Sequence, residues 1–237
     1  MSATDGGDAL MSIQRCNAER SYARRIKPVL DRVLAAVLLL LLAPVLLVVA
    51  VAVRVSLGAP LIYRQARVGR GRKQFTMLKF RSMTPDRRVA ALPYDGPERR
   101  VSYEATDDPR HTALGSLLRR WSLDELPQLW NVVRGEMSLV GPRPEVPPVV
   151  ATYPELAEER HLVRPGITGL WQVTAREIKP MEACVGIDID YVRRISFALD
   201  CRILFGTLRA VVGTAREAAV PPDPGPILRE LPPASAE

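Results

Sequence analysis

A chain of 237 residues can bury one good core with at most a small appendage, and a formal charge of +7 calls for an anionic partner: nucleic acid, anionic lipid or a phosphorylated substrate. Aromatic residues make up only 5%, which disfavours a base-stacking platform, so no nucleic-acid partner is expected. With two histidines, and with Cys16, Cys184 and Cys201 widely spaced and outside any CxxC, a zinc site or disulfide frame is not expected. The thiols read as reduced and cytoplasmic.

Residues 1–20 mix small and polar types without periodicity and read as a flexible N-terminus. A basic cluster (Arg24, Arg25, Lys27, Arg32) then precedes residues 33–53, VLAAVLLLLLAPVLLVVAVAV, a run without charge. At about 1.5 Å per residue it is long enough for a hydrocarbon core roughly 30 Å thick, and no clear small-x-small cleavage site follows it. Arg54, Arg64, Arg67, Arg70, Arg72 and Lys73 make the far flank positive too. Positive charge prefers the cytoplasmic side, and Pro44 removes a helical hydrogen bond at mid-run. These features fit a helix that enters, bends and returns to one face; an ordinary kinked span is the alternative.

Short strands are expected at residues 61–63 and 75–78 around the turn-forming Gly69-Arg-Gly71. Lys79 and Arg81 follow the second strand, and either point into a site or hold lipid headgroups. Residues 84–110, with four prolines, read as a long loop. Residues 112–121 have helical spacing, with Leu114, Leu117, Leu118 and Trp121 on one side and Arg119 and Arg120 at the C-terminal end, where the helix dipole favours cations.

The next stretch, SLDELPQLWNVVRGEMSLVGPRPE, carries the most chemistry. Ser122 to Glu125 fits an S-x-x-E capping box, a structural role, while Pro127 favours a start with Asp124 near the N-cap. Adjacent carboxylates at a helix start could also divide labour. One could attack phosphorus while its neighbour binds a divalent ion or handles a proton. Hard oxygen ligands beside a diphosphate suit Mg²⁺, so Asp124 and Glu125 are the candidate metal ligands. Gly135 suits a helix C-cap, and Gly141, Pro142 and Pro144 stiffen a turn that fixes Arg143.

This stretch resembles the signature of the bacterial sugar transferase family, the monotopic polyprenyl-phosphate phosphoglycosyl transferases. The apolar run with Pro44, YRQARVG, FTMLKFRSM, DPR, LGSLLRR and VRPGITGLWQV resemble further family blocks in the same order, covering roughly residues 27–213. The resemblance implies transfer of a phosphosugar from a UDP-sugar to polyprenyl phosphate in two steps. Asp124 would be the nucleophile, releasing UMP, and Glu125 would assist with Mg²⁺ and the acceptor phosphate. The substrate-binding set is Lys79, Arg81, Arg119, Arg143 and Pro144. It also implies a re-entrant helix broken at Ser-Pro; here the pair is Ala43-Pro44. The product would start lipid-linked glycan or exopolysaccharide assembly at the inner, cytoplasmic membrane, with the catalytic domain facing the cytoplasm. An inactive, membrane-tethered scaffold for glycan-assembly enzymes is the alternative.

Toward the C-terminus, prolines split residues 146–162, and Trp171 is either a core residue or a headgroup-level one. Residues 187–212 read as helix, in two pieces near Asp200. Asp188 and Asp200 match acidic family positions and are either ion-pair or catalytic groups; Asp190 stands where an aromatic is common. The expected fold is α+β, mainly helical, with a re-entrant N-terminal membrane helix and interfacial helices. The expected divisions are 1–20, 21–54 for the basic flank and membrane helix, 55–213 for the catalytic domain, and 214–237 for a proline-rich disordered tail. That is the small catalytic-core form of the family. Sugar specificity is expected to rest on residues 84–110 and the segment after Glu145. A homo-oligomer is compatible with the sequence.

Overall fold

The computed structural model describes residues 21–84, 112–152, 159–174 and 181–213. The expectations for residues 1–20, for most of the loop 84–110 and for the tail 214–237 lie outside the described residues. What is described is mainly helical, with one antiparallel and one parallel pair of strands.

A π-helical turn, Tyr22–Ile26, leads into α1 (Lys27–Leu41), which is followed by α2 (Ala43–Leu57). Pro44 lies in the first turn of α2 and has no N–H to give, so the ladder breaks at Leu42, whose φ of −90° and ψ of 2° leave the helical region. The arms diverge by 64°. Among the described residues no single helix is long and apolar enough to cross a membrane; the two arms meet that test only together.

Both arms rest on the same body. Ala35 of α1 is buried in a cluster with Met77, Leu129 and Val132. Val49 and Val53 of α2 pack in a second cluster with Phe80 and Leu118. Around the bend, by contrast, Leu40, Leu41, Leu47 and Val48 are exposed.

The base of α1 is held by buried charge. Lys27 Nζ lies 2.7 Å from Asp200 and 3.3 Å from Asp31. Asp200 also accepts from the Tyr22 and Tyr191 hydroxyls at 2.6 and 2.7 Å, and Asp31 accepts from the Ser138 hydroxyl. Every carboxylate of this cluster thus has donors, the condition under which buried charges are tolerated. Asp200 is therefore an ion-pair residue fastening the apolar helix to the C-terminal helices.

The strands β1 (Ile62–Val68) and β2 (Gln74–Phe80) pair antiparallel, with Ile62 opposite Phe80 and Val68 opposite Gln74. They are longer than the sequence reading allowed. The intervening 3₁₀ turn, Arg70–Arg72, includes Gly71 at a φ of 63°. Helix α3 (Ala113–Arg120) starts with the Thr112 hydroxyl accepting from the Gly115 N–H at 3.0 Å. A 3₁₀ turn, Leu123–Glu125, then leads into α4 (Gln128–Val133).

A second pairing was not foreseen from the sequence. β3 (Ser138–Val140) runs parallel to β4 (Gly166–Thr168), separated by α5 (Pro147–Thr152). Just past β3 the backbones of Gly141 and Gly166 touch; a Cβ on Gly166 would overlap the Gly141 nitrogen, so only glycine fits. Helices α6 (Leu170–Thr174), α7 (Met181–Arg194) and α8 (Phe197–Gly213) complete the fold, with the expected division of the last helical stretch falling at Ile195-Ser196.

Candidate active site

Asp124 and Glu125 sit in the 3₁₀ turn before α4, not at its N-cap, which is Pro127. The S-x-x-E capping box does not form. Ser122 adopts a left-handed φ of 53°, its side chain makes no capping bond, and its carbonyl instead accepts from the Glu125 N–H at 3.2 Å. The carboxylates are thereby released from capping, and Asp124 is buried at 7% exposure.

Lys79 approaches from the end of β2. Its Nζ lies 2.7 Å from Glu125 Oε1, and Arg143 Nη2 reaches the same oxygen at 3.9 Å. Asn131 holds this geometry. Buried in α4, it accepts from the Leu78 N–H at 3.1 Å and donates to the Thr76 carbonyl at 2.8 Å, fixing the carboxylate turn against β2. Burial raises the Asp124 carboxyl above its ordinary range; Lys79 opposes this, Glu125 adds to it, and a backbone hydrogen bond and Arg119 oppose it. Arg119 is therefore within electrostatic reach of Asp124, while its Nη1 donates to the Ser82 carbonyl at 3.1 Å.

The Pro-Arg-Pro turn is clamped from behind. Arg160 Nη2 donates to the Arg143 carbonyl at 2.7 Å and to Asp188 at 2.5 Å, and lies 3.8 Å from Glu145. Arg67 donates to the Pro144 carbonyl at 2.9 Å. Pro144 is buried with its carbonyl engaged, so it shapes the loop behind Arg143. Asp188 is the ion-pair partner of Arg160. Sequence reasoning missed Arg160, Arg67 and Asn131. All three bond to residues distant in sequence, and no local spacing marks them.

Arg81 goes elsewhere. Its guanidinium donates to the carbonyls of Leu57, Gly58 and Ala59 at the end of α2. Helix C-terminal carbonyls lack intrahelical partners and favour a cation. Arg81 therefore fastens the second arm of the apolar pair instead of lining the carboxylate site.

No cluster of three or more His, Cys, Asp or Glu side chains suited to a metal occurs among the described residues. Two adjacent carboxylates with hard oxygens still suit an ion such as Mg²⁺, which keeps several waters and takes further oxygens from substrate phosphates.

The sequence model described as "Bacterial sugar transferase" matches residues 22–214, most of the chain. The chain belongs to the bacterial sugar transferase family. Within that family it is 41% identical over 217 residues to a UDP-glucose:undecaprenyl-phosphate glucose-1-phosphate transferase of Xanthomonas campestris pv. campestris, covering 88% of this chain and 43% of the relative. It is 39% identical over 204 residues to the exopolysaccharide production protein ExoY of Sinorhizobium fredii, covering 84% and 90%. With an undecaprenyl-phosphate galactose phosphotransferase of Salmonella typhimurium the figures are 37% over 209 residues, 86% and 44%. The chain thus spans less than half the length of several such family members and nearly all of the ExoY-type relative.

Proposed function

We propose that the chain transfers a sugar phosphate from a UDP-sugar to polyprenyl phosphate through a covalent intermediate on Asp124. The carrying observation is the convergence of Lys79 and Arg143 on the carboxylate beside Asp124. Support also comes from the relatives: the name of the Xanthomonas protein specifies UDP-glucose and undecaprenyl phosphate, and that of the Salmonella protein specifies undecaprenyl phosphate and galactose.

In the first step an Asp124 carboxylate oxygen attacks the phosphorus bearing the sugar. The bond from that phosphorus to the bridging oxygen breaks, and UMP leaves with the electron pair. In the second step an acceptor phosphate oxygen attacks the same phosphorus, and Asp124 leaves as carboxylate. The products are UMP and a polyprenyl-diphosphate sugar. Lys79, Arg143 and Arg119 neutralise charge on the transferred phosphoryl group and hold it in line, the two contributions on which phosphoryl transfer mainly depends. Asp124 and Glu125 would hold Mg²⁺, which when bound neutralises diphosphate charge. An inactive scaffold would have no need for Asn131 and Arg160 to hold these groups.

The same reading places α1 and α2 in the membrane as a re-entrant pair. Its support is the exposed apolar tip around Leu40 to Val48, together with the fastening of both ends to one body. Lys27 secures the first end through Asp200, and Arg81 secures the second at Gly58. Exposed apolar surface of this kind requires cover, and the cytoplasmic leaflet of the inner membrane supplies it.

The test is UMP release from a panel of UDP-sugars with polyprenyl phosphate and Mg²⁺. Wild type should release UMP with at least one sugar, and Asp124→Asn with none. Equal turnover by the variant would end the nucleophile assignment. Cysteine labelling that put residues near 25 and 60 on opposite faces would end the re-entrant one.

A further inference from the structure

A cavity of about 280 Å³ lies between the start of α1, the turn after β1 and the segment entering β4, and none of the carboxylate-site residues lines it. Its wall carries Arg24, Lys27, Arg32, Arg70 and Arg164 against one carboxylate, Asp31. That carboxylate is already engaged, by Lys27 at 3.3 Å and by Ser138. The four arginines therefore face the space with no carboxylate of their own among the described residues.

One of them is held in place by a hydrogen bond, and a second packs against the same loop. Arg164 Nε donates to the Gly135 carbonyl at 2.7 Å, which leaves the terminal nitrogens of its fork for another partner. Gly135, at a φ of 77°, lies directly against the Arg32 guanidinium, and a Cβ there would overlap it. Burial lowers the Arg164 pKa, Arg32 and Arg70 push it further the same way, and Asp31, the least of the four influences, opposes them. Like charges brought this close repel unless an anion sits among them. Phosphate oxygens fit the arginine fork in two-point contacts. The cavity opens to solvent beside Arg24, Arg32 and Arg70, which are exposed, and one apolar wall residue, Leu162, is exposed with them.

We propose that this cavity is a second phosphate site, separate from the one at Asp124, gripping a phosphate group through Arg32, Arg70 and Arg164. The group is either the headgroup of an anionic lipid or a free phosphate or diphosphate. The site needs no turnover at Asp124, so binding tests it independently of the reaction proposed above.

The experiment measures binding to the full chain in detergent, by thermal shift and by native mass spectrometry. One arm adds cardiolipin, with phosphatidylcholine as the zwitterionic comparison; the other adds inorganic pyrophosphate. Arg32→Gln/Arg70→Gln should weaken binding by about tenfold for each guanidinium removed. Arg193→Gln/Arg194→Gln, an equal loss of charge on an exposed face, should leave it unchanged. Cardiolipin alone stabilising the wild type assigns the site to a lipid headgroup; pyrophosphate alone assigns it to a free phosphate. If neither binds, or if both variant pairs weaken binding equally, the proposal is overturned. Should the glutamine pair fail to fold, Arg32→Lys/Arg70→Lys replaces it, because lysine lacks the fork. Weakened binding there supports the site and unchanged binding overturns it.

Discussion

Replacing Lys27 with Met tests how the apolar helix is fastened to the catalytic body. The ammonium is buried at 5% exposure, 2.7 Å from Asp200 and 3.3 Å from Asp31, whose own exposures are 4% and 7%. Methionine fills similar volume but leaves those carboxylates without their cation. Tyr22, Tyr191 and Ser138 still donate hydrogen bonds but supply no charge. Breaking a buried pair in this way costs about 3–5 kcal/mol. For a domain of 150–250 residues each kcal/mol lowers Tm by roughly 2–4 °C, so the expected fall is about 6–20 °C. Thermal unfolding in detergent, followed by near-UV circular dichroism, reads it. The double variant Lys27→Met/Asp200→Asn should regain part of the loss, because one orphaned charge is gone. A fall below about 2 °C, or a double variant no better than the single, would refute the reasoning.

Further predictions concern the site. The folded-state pKa of Asp124 is raised, chiefly by burial. Its protonated form is thus favoured in the folded state, and the associated stability, present below the ordinary carboxylate pKa, is lost as pH rises through the raised value. Asp124→Asn should therefore abolish turnover yet melt above wild type at pH 7, with the difference shrinking as pH falls toward the ordinary carboxylate range. Lys79→Met should reduce kcat by about 10²–10³-fold. It should also move the acid limb of the pH–rate profile upward, since Lys79 is the strongest influence opposing the rise at Asp124. Arg81→Met should cost about 1–3 kcal/mol of stability by orphaning carbonyls at the end of α2, while leaving KM for the nucleotide sugar unchanged. Arg143→Gln should do the reverse, lowering kcat/KM with little change in Tm.

The parts legible in the sequence are those written in local patterns. The β1–β2 hairpin follows from apolar residues flanking Gly69-Arg-Gly71, and the bend in the apolar run follows from Pro44. Local patterns also misled. Ser122 and Glu125 have capping-box spacing, yet a left-handed Ser122 turns its carbonyl, not its hydroxyl, toward Glu125. Lys79 and Arg81 are two apart and would share a face of a continuing strand, but β2 stops at Phe80 and Arg81 turns to α2. The β3–β4 pair has short, largely buried strands without alternation, and it depends on a glycine contact across 25 residues of sequence, from Gly141 to Gly166. The Arg160–Asp188 clamp spans 28 residues and carries no local signature. Long-range pairing thus positions Arg143, whereas short-range chemistry supplies Asp124 and Glu125.

The most direct test of the covalent mechanism is intact-protein mass spectrometry after acid quench of a donor-only reaction. With a turned-over UDP-sugar and no polyprenyl phosphate, the account predicts that the chain gains the mass of one phosphosugar. The adduct should map to the peptide holding Asp124, disappear in Asp124→Asn, and discharge when acceptor is added. A protein that turns over yet carries no adduct, or carries it on another residue, would contradict the account.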